Sequence, residues 1–258
     1  MIELEFHFHT GVEFSAPVNG HTFALHCLPV EDDAQKLQSY TVRIEPAAEY
    51  GLHRDGFGGW LVCGSCREPH TVFCYDSHGI VRVDGRAQAE PVNPVLKQFT
   101  ELTAMTPELE TLWQSLPLDG KPLQEQAALL NKAAAGALHY VPGLTGNSTT
   151  AGQAFALGSG VCQDYAHILL ALARRSGFAA RYCMGLVPGE GATHAWAELA
   201  LPDGWHGYDP TFACEAGEEH LRFAVGRDAA DCRAERGIFR GAAEQTLHTE
   251  MRLDVRKG

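Results

Sequence analysis

The sequence predicts an α+β protein in which an N-terminal antiparallel β domain precedes a core of helices packed on a second antiparallel sheet. Three features predict it. The opening residues alternate strictly between apolar and polar, the texture turns from strand-like to helix-rich near Glu90, and strand patterns return after Gly177. The boundaries that follow are residues 1–89 for the β domain and 90–258 for the second.

Taken in order, Ile2, Leu4, Phe6 and Phe8 alternate with Glu3, Glu5, His7 and His9, the period of a half-buried strand. Further strands are expected at "HTFALHCLPV", "YTVRIEP", "GGWLVCGSC", "HTVFCYD" and "GIVRVDG", separated by Gly, Pro, Asp and Asn. The segments "PELETLWQSLP", "PLQEQAALLNKAAAGALHYV" and "TTAGQAFALG" are rich in helix formers and bounded by Pro or Gly. In "GSGVCQDYAHILLALARRSG", Tyr165, Ile168, Leu169, Leu172 and Ala173 share one face of a helix. Ser159 and its flanking glycines open that helix, and Arg174, Arg175 and Gly177 close it. "FAARYCMGL", "HAWAELAL" and "WHGYDPT" read as strands, and so does the tail, where Leu247, Thr249, Met251, Leu253 and Val255 alternate with polar residues.

Composition excludes several functions. Hydrophobic residues at 45% and charged residues at 20% suit a soluble globular protein. No apolar run approaches the ~20 residues that span a bilayer, so no membrane role is expected. Thirty-two acidic against 20 basic residues leave a formal charge of −12, which repels a phosphate backbone and argues against nucleic acid as partner. "MIELEFHFHT" lacks the basic and apolar blocks of a secretory signal, so a cytoplasmic location is expected and the eight cysteines are expected to be thiols. "GLTGNSTT" lacks the Gly-Lys-Ser/Thr ending of a phosphate loop, and no cofactor is implied.

Cys162 stands in the first turn of the predicted helix. There the macrodipole and unpaired backbone N–H groups favour thiolate over thiol, and the same N–H groups can stabilise an oxyanion. Taken alone, a cysteine at a helix start is more readily a small buried apolar residue than a nucleophile. A nucleophile needs a base, and His194 and Asp209 lie in the next two strands. If Leu199 faces Gly204, His194 faces Asp209; a tight hairpin at Asp203-Gly204 slides them four residues apart but keeps both on one sheet face.

Together "GVCQDYAHILLALARRSGFAARYCMGL", "THAWAEL" and "GWHGYDPT" resemble the core of the transglutaminase-like superfamily. That resemblance implies a papain-related core whose helix-mounted Cys162, His194 and Asp209 form a catalytic triad, with no cofactor or metal. "TTAGQAFALGSG" and "FAVGRDAADCRAERGIFRGAAEQTLHTEMRL" are similar to bacterial members that carry an N-terminal β domain. The family includes crosslinking and hydrolytic members. The expected activity is therefore acyl transfer from a peptide or protein amide through a thioester, more readily to water than to an amine.

Other residues have weaker patterns. Trp196 shares the face of His194 and either walls the cleft or belongs to the core. Gln163, Asp164 and Tyr165 flank the nucleophile, with Asp164 read as a first-turn helix-stabilising acid. In "CGSCREPHTVFC", Cys63, Cys66, His70 and Cys74 have the spacing of a small zinc knuckle, the alternative being two strands joined as a hairpin. Cys63 and Cys66 lack the following helix of a redox motif, and His7 and His9 share the wet face of the first strand.

Overall fold

The computed structural model describes residues 1–85 and 91–256. The expected boundary at 89/90 falls outside the described residues. The N-terminal part supplies β1 (Ile2–Leu25), β2 (Gln35–Glu45), β3 (Glu49–Arg54), β4 (Trp60–Cys66) and β5 (His70–Val83). A 3-10 turn at Pro94–Lys97 precedes α1 (Pro107–Gln114), α2 (Leu123–Ala135), β6 (His139–Tyr140), α3 (Ala151–Leu157), β7 (Ser159–Gly160) and α4 (Cys162–Arg175). The rest is strand: β8 (Ala180–Leu186), β9 (Gly189–Gly191), β10 (His194–Leu201), β11 (Gly204–Asp209), β12 (Cys214–Ala216), β13 (Leu221–Gly226), β14 (Glu235–Arg240) and β15 (Gln245–Arg256).

Strand β1 organises the first sheet. Leu4, Phe6, Phe8 and Val12 point into the core while Glu5 and His7 face solvent, as the alternation requires. Its first half lies between β5 and β15, and its second half between β4 and β14. "HTFAL" is thus the continuation of β1 rather than a separate strand. The chain stays extended through Pro17 and Gly20, and the register shifts between Glu13 and Val18 absorb the break in alternation. "HTVFCYD" and "GIVRVDG" likewise merge into β5. Strands β4 and β5 are not a hairpin: each pairs with a different stretch of β1.

The C-terminal strands belong to this first sheet as well. Twelve residues of β15 pair with β1, from Glu3 facing Arg256 to Phe14 facing Gln245, and β9 extends the edge through Met251 to Leu253. Sheet membership therefore does not follow a cut of the chain at residue 89. The second sheet has the order β12-β11-β10-β8-β13, all neighbours antiparallel.

Helix α4 packs against β8 and β10 on one side and α2 and α3 on the other, so every residue from Asp164 to Arg174 is buried. Burial on all sides explains why its polar face carries so few charges. Arg174 is not a solvated last-turn cation: its guanidinium donates to the carbonyls of Leu96, Ala180 and Arg227 and to Thr103 Oγ1. The sheets are tied together by Arg222, which donates to Asp32 Oδ2 at 2.7 Å and, through its backbone N–H, to Gln35 Oε1 at 2.8 Å. Among the described residues no helix is long and apolar enough to cross a membrane.

Candidate active site

Helix α4 begins at Cys162, with Val161 as its extended N-cap residue. Valine has no side-chain acceptor, so the cap is one-sided. Asp164, in the third helical position, accepts the Val161 N–H at 2.8 Å and the Thr145 hydroxyl at 2.6 Å through the same oxygen. A Cβ at Gly160 would stand 2.6 Å from that carboxylate oxygen, so glycine is what lets the chain pass this close. Burial pushes the Asp164 carboxyl up, against these two bonds. The result is a half-exposed thiol on a rigid first turn whose leading N–H groups have no intrahelical partners.

His194 opens β10 and Asp209 ends β11. The connecting turn is Pro202-Asp203, with Leu201 facing Gly204, which corrects both registers considered from sequence. Because Ala197 faces Tyr208, Asp209 comes level with Trp196, two residues along from His194 and on the same face. The side chains close that offset: His194 Nε2 lies 2.6 Å from Asp209 Oδ2, and Asp209 has no exposed surface. The other carboxylate oxygen accepts the backbone N–H groups of Thr211 and Phe212. Asp209 therefore cannot rotate without losing several bonds.

The remaining nitrogen of His194, Nδ1, is not taken by Asp209, and the ring lines the same cavity as Cys162. Burial works against a charged ring here, but the bond to Asp209 and then the contact with Cys162 outweigh it and raise the imidazole to about 9. Asp209 moves the opposite way. Its burial is overcome by hydrogen bonds from His194 and His220, which hold the carboxyl well below the usual range. The ring of His194 is stacked between Phe212 at 5.0 Å and Trp196 at 6.1 Å, centroid to centroid. Trp196 is 1% exposed, so it belongs to the core and also braces the imidazole.

His220 and Phe212 had no signal in the sequence. His220 Nε2 stands 3.2 Å from Asp209 Oδ2, and its Nδ1 accepts the Gly217 N–H. That acceptance leaves Nε2 to donate to the carboxylate. Periodicity could not have found it, since it lies in the loop ahead of β13.

The sulfur and imidazole line a cavity of about 180 Å³, walled by Tyr140, the segment Leu186–Thr193 and Met251–Leu253 of β15. His194, Asp209 and His220 also present ligand-type atoms within 4.8 Å of one another. Both imidazoles spend Nε2 on the same carboxylate oxygen, an arrangement of hydrogen bonds rather than of ligands around a common point. Among the described residues this is the single such group, so Cys63, Cys66, His70 and Cys74 are not gathered as the zinc reading requires. Their strand pairings explain it: Cys66 lies opposite His21, whereas Cys74 lies opposite Gly11, well along β1.

Residues 114–210 match the family model of the transglutaminase-like superfamily, and residues 4–82 match the bacterial transglutaminase-like N-terminal region. An uncharacterized protein of Mycobacterium leprae (strain TN) is 27% identical over 262 residues, covering 92% of this chain and 93% of that protein. An uncharacterized protein of Mycobacterium tuberculosis (strain H37Rv) is 28% identical, covering 86% of this chain and 82% of that protein. A crystal structure from Cytophaga hutchinsonii, described as a "Putative Cysteine Protease", superposes with a TM-score of 0.82 at 19% identity, over 100% of this chain and 91% of that one. It shares the whole fold, both sheets included. With one model covering strands β1 to β5 and the other spanning Cys162, His194 and Asp209, the chain belongs to the transglutaminase-like superfamily, in the form that carries a bacterial N-terminal region.

Proposed function

We propose that the protein is a thiol-dependent acyl-transfer enzyme that cleaves amide or peptide bonds, with Cys162 as nucleophile, His194 as acid and base, and Asp209 as the group that orients and charges the imidazole. The observation that carries this is the buried Asp209 carboxylate on His194 Nε2, with the imidazole and the helix-start thiol lining one cavity. An imidazole held protonated near neutral pH can pair with a thiolate and later give its proton to a leaving amine.

The sulfur attacks the carbonyl carbon, and the backbone N–H of Cys162, unpaired at the start of α4, can donate to the developing oxyanion. Collapse expels the amine, protonated by His194, and leaves a thioester. Water then attacks, His194 takes its proton, and the acid departs as the thiol is restored. Hydrolysis is favoured over amine transfer because the thiol is half-exposed beside an open cavity.

Incubation with a glutaminyl peptide library, with and without a primary amine, tests the proposal by product mass. Deamidated or cleaved peptides are expected in both samples and their loss in Cys162→Ala and Cys162→Ser. Amine adducts in place of acids would identify crosslinking as the reaction, and full turnover by Cys162→Ala would overturn the thiol mechanism.

A further inference from the structure

A second cavity, of about 360 Å³, adjoins the first: Ala192, Thr193 and Met251 line both, and Gln163 brings its wall to the residue after the nucleophile. It lies between the inner face of the first sheet, at Thr10, Tyr75 and Thr249, and strand β8 of the second, at Tyr182 and Met184. Such a space between sheets is expected to be apolar. Instead it holds the carboxyl group of Glu235, which makes no hydrogen bond or ion pair among the described residues and has Oε2 sealed from solvent without a partner.

The Thr10 hydroxyl, on a residue 2% exposed, is buried beside the Tyr75 hydroxyl and keeps oxygen lone pairs to offer. Tyr75, itself 1% exposed, is kept protonated by burial and then by the charge of Glu235, so its hydroxyl remains an uncharged neighbour. Burial alone raises Glu235, to about 7. Arg233 also lines the cavity, but it is exposed and forms no ion pair with the carboxylate among the described residues. An unpaired carboxylate in a desolvated cavity is costly, and a cation that enters with it removes the cost.

We propose, resting on the acyl-transfer reading, that this cavity is an ammonium subsite in which Glu235 and the Thr10 hydroxyl hold a protonated amine carried by the acyl-donor substrate. The amine belongs to the donor for a chemical reason. A thioester is attacked by a free amine lone pair, whereas an ammonium clamped by a carboxylate has none to offer. The group is therefore a recognition handle, and the substrate class is a peptide or amino-acid amide with a primary amine near the scissile carbonyl.

The test uses the full chain and needs no known substrate. Cys162 is modified with aminoalkyl methanethiosulfonates of increasing chain length and with size-matched neutral alkyl methanethiosulfonates. In each reaction the thiolate attacks the reagent sulfur, an S–S bond forms and methanesulfinate leaves. The best-fitting cationic reagent is expected to react about tenfold faster than its neutral match, and Glu235→Gln to bring that ratio to about one. Any general effect of the variant on thiol reactivity divides out of the ratio. A ratio near one in the unaltered protein, or one that Glu235→Gln leaves unchanged, overturns the subsite. If Glu235→Gln fails to fold, competition on the unaltered protein decides: ethylammonium must lower the ratio and ethanol must not. Peptide mapping that finds Cys162 no more reactive than the other thiols overturns the nucleophile assignment as well, an outcome separate from the ratio.

Discussion

His220 Nε2 stands 3.2 Å from Asp209 Oδ2, the oxygen that His194 also bonds at 2.6 Å. As a second donor, His220 draws off part of the carboxylate's charge while holding it in place. In His220→Ala the charge falls wholly on His194, so the alkaline limb of the activity profile is expected to move to higher pH. At the same time kcat falls about tenfold because Asp209 is less firmly oriented. A purely structural contribution would lower kcat without moving the limb, and a pH profile of the variant distinguishes the two.

The pH dependence of the unaltered protein follows from His194. Raised from 6.5 to about 9, it stays protonated where a free imidazole would be neutral. Activity that needs the imidazolium should therefore fall as pH rises through about 9. The same shift is a linkage to folding: its stabilisation is fully present below about 6.5 and lost as pH rises through about 9. In Asp209→Asn the largest stabilising partner is gone, so the limb should move down towards about 6.5 and kcat should drop roughly a hundredfold or more. Melting temperatures measured over the same window should decline less steeply in the variant. An unmoved limb would mean that another group sets it.

Period and chemistry made much of this legible from residues alone. The alternation in β1 and the apolar face of α4 were visible because each repeats within a few positions. Parity sufficed to put His194 and Asp209 on one sheet face, although the Pro202-Asp203 turn gave a register between the two anticipated. What stayed hidden depends on contacts distant in sequence. The tail was readable as a strand, but nothing local says that Leu253 lies beside Phe6. The union of "HTFAL" with β1 was hidden by Pro17 and Gly20, ordinarily signs of a break. His220 and Glu235 acquire their surroundings only when the two sheets meet.

Asp164 should matter for both stability and reactivity. Its buried carboxylate satisfies the Val161 N–H and the Thr145 hydroxyl just ahead of the sulfur. Asp164→Ala leaves both donors without that acceptor and is expected to cost about 1–3 kcal/mol, read as a lower midpoint in chemical denaturation. Loosening the first turn should also slow alkylation of Cys162. Asp164→Asn keeps an acceptor and should recover most of the loss; if it is as damaging as alanine, the charge rather than the cap is what α4 requires.

The C-terminal strand joins the stability of the first sheet to the active-site cavity. Met251 and Leu253 are buried on β15, between the long pairing with β1 on one side and β9 on the other, and both line the wall opposite Cys162. Leu253→Ala is expected to cost about 2–5 kcal/mol through the lost apolar contacts and the space left behind. Because β9 is held to β15 only from Gly189 to Gly191, that cavity should also loosen the segment leading to His194. Thermal unfolding should then shift down and the alkylation rate of Cys162 should change in the same variant. Removal of residues 245–256 is the stronger form of the test: β1 loses its neighbour along twelve paired positions, leaving an apolar strand with an open edge. A truncated chain that stays monomeric, melts cooperatively and keeps Cys162 reactive would show that the first sheet does not need its last strand and that the cavity is formed without it.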